Sequence, residues 1–130
     1  MAQKFRVLII DDEDDFRETL VKRLKNRKVD VWGAESGQKG LDLMKKIAFD
    51  VVVLDIKMPG MDGLETLQQL KKKKLLTEVI LLTGHASIEA GIRGIKLGAF
   101  DYLLKPINLD ELLEKLHQAY ERKLIQEERR

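Results

Sequence analysis

Short apolar runs rich in β-branched residues alternate along the chain with longer stretches in which apolar residues recur three or four positions apart. The short runs predict buried strands and the longer stretches predict helices, so the alternation indicates repeated β-α units on a parallel sheet. The run Val51-Val52-Val53-Leu54 has no polar face, as expected of a central strand with helices on both sides. Strands are predicted at residues 4–10, 29–34, 51–55, 79–83 and 101–104.

Helical spacing predicts a helix after each strand. The apolar positions expected to face the core are Phe16, Leu20 and Leu24 in the first helix, Leu41, Met44 and Ile47 in the second, Leu64, Leu67 and Leu70 in the third, and Leu109, Leu112, Leu113, Leu116 and Tyr120 in the fifth. Ser36, Ser87 and Asn108 are predicted N-caps because each precedes such a stretch. The last helix is expected to continue through Leu124.

The fourth helix is less regular than the others. Ile88, Ile92 and Ile95 form one apolar stripe along it. Gly91 and Gly94 interrupt the pattern, and each costs about 1 kcal/mol of helix propensity relative to alanine. This helix is therefore expected to be the loosest of the five.

Composition narrows the possible classes of protein. A chain of 130 residues with 44% hydrophobic and 35% charged residues suits one globular domain with a single core. Lysine and arginine number 24 against 22 aspartate and glutamate, so no direct nucleic-acid binding by this domain is expected. The basic runs at 22–28 and 71–74 are typical of solvated helix faces, with a basic docking patch as the alternative.

The chain contains no cysteine, which excludes disulfides, thiolate metal sites and a cysteine nucleophile and is compatible with a cytoplasmic location. Its apolar runs are too short to span a bilayer, and its first residues lack the pattern of a signal peptide. No membrane association is expected.

The first candidate functional residues lie in the acidic run Asp11-Asp12-Glu13-Asp14-Asp15, directly after the first strand. Acids near a helix start favour the helix dipole, which suffices to explain Asp14 and Asp15. Asp11 and Asp12 differ because a third carboxylate, Asp55, ends the central strand. Three carboxylates about 5 Å apart would repel by roughly 3 kcal/mol per pair at an effective dielectric constant near 20, so a fold that brings them together needs a cation.

Two further polar residues end strands of the predicted sheet, Thr83 after the fourth and Lys105 after the fifth. Functional groups collect at the carboxyl ends of parallel strands, so Asp11, Asp12, Asp55, Thr83 and Lys105 form one site if their strands are neighbours. An ionised Asp55 can attack phosphorus without a general base, and Thr83 and Lys105 can bind phosphoryl oxygens. Mg²⁺ prefers oxygen ligands of this kind, whereas Zn²⁺ is disfavoured without cysteine or a histidine pair.

At these residues the chain resembles the receiver domain of two-component response regulators, over residues 4 to about 120. The resemblance rests on motifs in one fixed order, which a chance match would rarely reproduce. They are Asp11-Asp12, Val51-Val52-Val53-Leu54-Asp55, Met58-Pro59-Gly60-Met61-Asp62-Gly63, Leu82-Thr83-Gly84-His85-Ala86, Gly98-Ala99-Phe100-Asp101-Tyr102 and Lys105-Pro106. The resemblance implies a flavodoxin-like, doubly wound α/β fold with five parallel strands in the order 2-1-3-4-5 and five helices.

The resemblance also implies the chemistry. Asp55 would accept a phosphoryl group from a sensor histidine kinase or a phosphotransfer protein, with intrinsic Mg²⁺-dependent self-phosphorylation and autodephosphorylation. Asp12 and Asp55 would bind Mg²⁺ directly, with Mn²⁺ as a possible substitute, Asp11 would help through water, and the main-chain carbonyl of Lys57 would complete the protein ligands. The Lys105-Pro106 peptide bond would be cis.

A conformational switch is a further implication of the resemblance. Thr83 would move towards the phosphoryl group and Tyr102 would rotate inward, altering the surface formed by the fourth helix, the fifth strand and the fifth helix, through which a homodimer could also form. The side chains at Lys57 and His85 would set the dephosphorylation rate.

The output of the domain is a separate question. Residues 1–122 are assigned to the receiver domain and 123–130 to a helical extension that starts a linker to an output domain. The segment 83–106 is similar to receivers of transcriptional activators, including those that remodel a sigma-54 polymerase, so transcription is the expected output. A stand-alone, single-domain regulator is the alternative, and the fifth helix could serve as a dimer seam or as a linker.

Three other functions fit parts of the pattern. A metal-dependent aspartyl phosphatase of the haloacid-dehalogenase kind would carry a second aspartate two residues after its nucleophile, where this chain has Lys57. A nucleotide- or flavin-binding module would bind phosphate through the loop after the first strand, which the acids at 11–15 would oppose. A receiver that no longer accepts phosphate would have no need of Asp55, Thr83 and Lys105.

Overall fold

Five parallel strands form one sheet in the computed structural model, which describes residues 5–73 and 75–129. The elements are β1 (Arg6–Ile10), α1 (Asp14–Asn26), β2 (Asp30–Ala34), α2 (Gly37–Met44), β3 (Val51–Asp55), α3 (Gly63–Lys72), β4 (Glu78–Thr83), a 3₁₀ turn (His85–Ser87), α4 (Ile88–Lys96), β5 (Asp101–Leu104) and α5 (Leu109–Glu128). The strand order is β2-β1-β3-β4-β5. The predicted flavodoxin-like, doubly wound fold is therefore confirmed.

The central strand β3 separates two apolar layers, and all of its residues are buried. Because successive side chains of a strand point to opposite faces, Val51 and Val53 pack in one layer and Val52 and Leu54 in the other. The first layer is completed by Leu20, Leu24, Leu112 and Leu116 of α1 and α5, and the second by Leu41, Leu67 and Leu70 of α2 and α3. The unbroken apolar run of β3 thus reflects helices on both faces of the sheet.

Three strand boundaries differ slightly from the prediction. β1 begins at Arg6 rather than residue 4, which lies outside the described residues. β2 begins at Asp30, one residue later than predicted, and β4 begins at Glu78, one residue earlier. The bounds of β3 and β5 are as predicted.

Two of the three predicted helix caps are confirmed. The side chains of Ser36 and Asn108 accept hydrogen bonds from the backbone N–H groups of Lys39 and Glu111. The predicted cap at Ser87 is wrong, because a 3₁₀ turn precedes α4 and gives Ser87 φ −125° and ψ 24° instead of the extended backbone of the other two caps. Its side chain makes no capping hydrogen bond.

Helix α4 packs on the sheet through glycine. Gly91 and Gly94 are buried, whereas Ile92 and Ile95 are 44% and 40% exposed. A Cβ atom on Gly94 would overlap the side chain of Leu81 in β4. Ile92 and Ile95 of the stripe therefore face solvent while Ile88 is half-buried, and the glycines that weaken the helix are the residues that let it approach the sheet.

Helix α5 is one continuous helix of 20 residues that includes the predicted extension. Its second half is joined to the amino-terminal edge of the sheet. Arg122 Nε lies 2.6 Å from Oε2 of the buried Glu78, and Lys123 Nζ lies 2.8 Å from Oδ1 of Asp50, just before β3. The helix crosses residue 122 without a break, so the domain boundary there stays a prediction. Neither α5 nor any other described helix has the length and apolarity needed to cross a membrane.

Candidate functional site

The register of the sheet brings the polar strand ends to one edge. Ile10 pairs with Leu54, so Asp11 and Asp55 follow directly on neighbouring strands. β4 and β5 continue the edge, since Thr83 pairs with the last residue of β5 and its carbonyl accepts a hydrogen bond from the N–H of Lys105. Strands one, three, four and five are thus consecutive neighbours, as the single-site interpretation required.

Three carboxylates converge at this edge. One oxygen each from Asp11, Asp12 and Asp55 lies within 4.8 Å of the others. Asp11 is fully buried, Asp55 is 6% exposed and Asp12 is exposed. The donor set consists of oxygen atoms, one of them open to solvent, which fits Mg²⁺ and its retained waters. The predicted metal ligands Asp11, Asp12 and Asp55 are therefore positioned together.

The charges of this cluster change the acidity of Asp55. The pKa of its carboxyl group is raised from 3.8 to about 6, mainly by burial and then by the neighbouring carboxylate of Asp11, while the ammonium of Lys105 lowers it. Asp55 is thus mostly ionised at neutral pH but is held in an environment that opposes its negative charge. A divalent cation would relieve that opposition.

Lys105 supplies the positive charge at the opposite side of the cluster. Its Nζ atom donates to Asp11 Oδ2 at 3.0 Å and lies 3.6 Å from Asp55 Oδ1. The ammonium also lies 4.3 Å from the centre of the Phe16 ring. Burial opposes the charged ammonium, but the hydrogen bond to Asp11 and the nearby carboxylates raise its pKa above the ordinary value. The Lys105-Pro106 bond is cis, as the resemblance implies.

Thr83 and Tyr102, the two predicted switch residues, both face α4 or the turn before it. The Thr83 hydroxyl donates to the main-chain oxygen of Ser87 at 3.0 Å and lies 3.3 Å from that of Gly84. The Tyr102 ring is half-buried against α4, where a Cβ atom on Gly91 would lie 2.9 Å from Tyr102 Cγ. Thr83 is therefore held by the turn before α4, and Tyr102 packs on α4 itself.

Lys57 and His85 are exposed residues that follow β3 and β4. A Cβ atom added to Gly84 would meet nothing within 4 Å, so the space beside this residue is open. Beside Lys105, an open and largely apolar groove runs between α1 and the start of α5. It is lined by Phe16, Leu20, Pro106, Ile107 and Leu109, with Glu13 and Arg23 among the polar residues.

Sequence reasoning missed one polar side chain at this edge. Arg17 of α1 donates through Nη1 to the main-chain oxygen of Asp11 and through Nη2 to Oδ1 of Asp14, both at 2.8 Å. An arginine one turn into a helix gives no signal of this contact, because its partner is a backbone atom.

The sheet order and the acid cluster facing a lysine are the features that the resemblance to receiver domains implies. Comparison with known proteins agrees, since the model of the response regulator receiver domain matches residues 7–117. The cell cycle response regulator CtrA of Brucella ovis is 36% identical over 117 residues, which cover 90% of this chain and 50% of CtrA. The chain belongs to the response regulator receiver domain family of two-component systems.

Solved structures give the same result. The receiver domain of the Francisella response regulator 1452 is 34% identical, with a TM-score of 0.84, and the match covers 92% of this chain and 98% of that one. NtrX from Brucella abortus is 29% identical with a TM-score of 0.90, and the match covers 97% of this chain but 29% of NtrX. The chain spans about half the length of the curated relatives it matches.

Proposed function

We propose that this domain accepts a phosphoryl group on Asp55 from the phosphohistidine of a sensor histidine kinase or a phosphotransfer protein. One observation carries the proposal. The carboxylate of Asp55 is nearly buried among two other carboxylates, within 4.8 Å, and an ammonium at 3.6 Å, so a divalent cation bound there would give an incoming anion balancing charge. Its pKa of about 6 leaves it mostly ionised, and therefore nucleophilic, at neutral pH.

In the proposed step, an Oδ atom of Asp55 forms a bond to phosphorus while the P–N bond of the donor breaks. The electron pair of that bond stays on the ring nitrogen, and the donor leaves as neutral imidazole because its other nitrogen carries a proton. Lys105, already beside Asp55, would bind one phosphoryl oxygen and the Thr83 hydroxyl would donate to another. The protein thus contributes position and charge.

Mg²⁺, when bound, would supply positive charge that offsets the carboxylates and the phosphoryl oxygens. We assign Asp12 and Asp55 as direct ligands, Asp11 as a ligand through water, and the main-chain carbonyl of Lys57 as the remaining protein ligand. Mn²⁺ is expected to substitute because it takes the same oxygen ligands. The domain is a phosphoacceptor with self-phosphorylation and autodephosphorylation activity rather than an enzyme acting on a separate substrate.

Phosphorylation would act on the surface formed by α4, β5 and α5. To reach a phosphoryl oxygen, the Thr83 hydroxyl must leave the carbonyl of Ser87, in the turn that leads into α4. Because Tyr102 packs on Gly91, a movement of either one requires a movement of α4. This surface, with its exposed Ile92 and Ile95, is also the proposed face of a homodimer.

Docking of the donor is proposed in the apolar groove between α1 and the start of α5, because this groove adjoins Lys105 and Asp55. A helix from a partner could place apolar side chains in the groove. We propose transcription as the output through a domain that follows the extension at 123–130, in line with the response regulators that the chain resembles. A stand-alone regulator is the alternative, and a cytoplasmic location remains part of the proposal.

Intact mass measurement after incubation with acetyl phosphate, with and without Mg²⁺, tests the function. One acid-stable, base-labile phosphoryl adduct is expected, it should require Mg²⁺, and Asp55→Asn should abolish it. The matched control is Asp42→Asn, which removes an exposed carboxylate of α2 and should leave the adduct unchanged. Labelling of the Asp55→Asn variant at the wild-type level would refute the assignment.

A further inference from the structure

The two ends of the Arg17 guanidinium group bind the loop after β1 and the first residue of α1. Nη1 donates to the main-chain oxygen of Asp11 and Nη2 to a carboxylate oxygen of Asp14, both at 2.8 Å. The arginine side chain is 13% exposed, although Asp14 is 69% exposed. A bidentate guanidinium is a stiff connector compared with an ammonium, so these contacts define the position of the loop relative to α1.

Asp11 is held through every one of its polar groups. Its N–H donates to the carbonyl of Ala34 at 3.1 Å, Oδ1 accepts from the N–H of Glu13 at 2.9 Å, and Oδ2 accepts from Lys105 at 3.0 Å. Arg17 holds the remaining group, the main-chain carbonyl. That carbonyl belongs to the planar peptide that joins Asp11 to Asp12, so its direction fixes how the backbone enters Asp12.

The stem of Arg17 is positioned by strand β2. A Cβ atom built on Gly33 would lie 3.2 Å from Cδ and 3.3 Å from Cγ of Arg17, closer than most contacts of this type. Gly33 therefore provides a flat surface against which the arginine stem lies. Arg17 thus contacts Gly33 of β2 through its stem and the Asp11 carbonyl through its guanidinium group.

We propose that Arg17 is a positioning residue for the Mg²⁺ site. By fixing the peptide between Asp11 and Asp12, it keeps the exposed carboxylate of Asp12 converged on those of Asp11 and Asp55. Arg17 contacts neither the ion nor the phosphoryl group in this role. The inference rests on the proposed function insofar as Mg²⁺ is the ligand of the cluster.

The charge of Arg17 and its positioning role predict opposite effects of its removal on Mg²⁺ affinity. A guanidinium near three carboxylates repels a cation, so removal of its charge alone would tighten Mg²⁺ binding. Loss of a positioning contact weakens metal binding instead, by roughly tenfold to a hundredfold for groups that orient metal ligands. The direction of the change in affinity therefore separates the two roles.

Titration calorimetry with Mg²⁺ alone tests the proposal on wild type, Arg17→Ala, Arg17→Lys and Lys22→Ala. Arg17→Ala should weaken binding by roughly tenfold. Arg17→Lys keeps the charge and one donor and should recover part of the loss. Lys22 is exposed on the same helix, and its removal deletes the same charge without touching the loop, so Lys22→Ala should change the affinity by less than about twofold.

A second readout needs no metal. In the metal-free protein, the amide protons of Asp11 and Glu13, which donate to the Ala34 carbonyl and to Asp11 Oδ1, should exchange faster in Arg17→Ala than in wild type, because the backbone between them is no longer fixed. Should Arg17→Ala fail to fold, Gly33→Ala keeps the arginine but displaces its stem, and it should weaken Mg²⁺ binding in the same direction.

Unchanged or tighter Mg²⁺ binding by a folded Arg17→Ala protein would overturn the positioning role. If wild type binds Mg²⁺ and becomes phosphorylated in that case, the proposed function stands and only the role of Arg17 fails. Absence of Mg²⁺ binding by wild type would overturn the proposed function and this inference together.

Discussion

Replacing Asp55 by asparagine should make the metal-free protein more stable at neutral pH. Burial, with help from Asp11, raises the pKa of the Asp55 carboxyl group from 3.8 to about 6 in the folded state. The folded protein therefore binds this proton more tightly than the unfolded chain does. Ionisation of Asp55 costs stability as pH rises from about 4 to about 6, and the cost is constant above that range.

The size of the effect follows from the same shift. A difference of about two pKa units corresponds to roughly 3 kcal/mol at neutral pH. Relaxation around the charge and entry of water reduce such penalties, so we expect a gain of about 1–2 kcal/mol for Asp55→Asn near pH 7.5. Near pH 5, where the folded carboxyl group is mostly protonated, about half of the gain should remain.

Urea unfolding in the presence of a chelator, at both pH values, measures this difference. Asp42→Asn is the control, because its carboxylate is exposed and its replacement should change the free energy of unfolding by less than about 0.5 kcal/mol. The reasoning is refuted if Asp55→Asn is no more stable than wild type near pH 7.5. A gain of equal size at both pH values would also contradict it, since a titrating carboxyl group would then not be the cause.

Three further perturbations follow from contacts elsewhere in the fold. Arg122→Ala removes the cation beside the buried Glu78 and should lower the free energy of unfolding by about 2 kcal/mol in urea titrations. Gly94→Ala forces a Cβ atom into the sheet and should cost about 1–3 kcal/mol by the same measurement, whereas Gly84→Ala, where the added atom meets nothing, should be nearly neutral. Lys105→Ala should not weaken Mg²⁺ binding, since it removes a positive charge beside the carboxylates, and should uncouple phosphorylation from the surface change, seen as amide exchange in α4 that no longer responds to acetyl phosphate.

Each of these outcomes has a contrary result. Arg27→Ala, which breaks an exposed pair with Asp110 at 3.5 Å, should cost less than about 0.5 kcal/mol, and an equal loss in Arg122→Ala would mean that burial of Glu78 is irrelevant. Equal free energies of unfolding for Gly94→Ala and Gly84→Ala would contradict close packing of α4 on the sheet. If amide exchange in α4 of Lys105→Ala responds to acetyl phosphate as in wild type, Lys105 is not required to couple phosphorylation to the surface change.

The strands and the polar residues at their ends could be predicted because each depends on a local pattern, whereas the order of the strands came from the resemblance to receiver domains. The apolar run of β3 gives its central position, and Asp11, Asp55, Thr83 and Lys105 each end a strand, so the order of strands alone brings them together. The prediction needed no knowledge of side-chain conformation.

What the sequence did not reveal depends on contacts between distant residues or on backbone atoms. The N–H and carbonyl groups carry no sequence signal, so the bond from Arg17 to the Asp11 carbonyl was invisible. The apolar stripe of α4 suggested ordinary packing, but the helix meets the sheet through an adjacent face that contains Gly91 and Gly94. Helix propensity accounts for the cost of these glycines in α4, but it does not indicate that they allow the helix to approach the sheet closely.

The glycine face of α4 has a consequence for how this helix opens. Denaturant promotes an opening in proportion to the surface that the opening exposes. Detachment of α4 uncovers the side chains on which Gly91 and Gly94 lie, which are the Tyr102 ring and the fully buried Leu81. Such an opening should therefore respond to dilute urea, although less steeply than unfolding of the whole domain, which exposes far more surface.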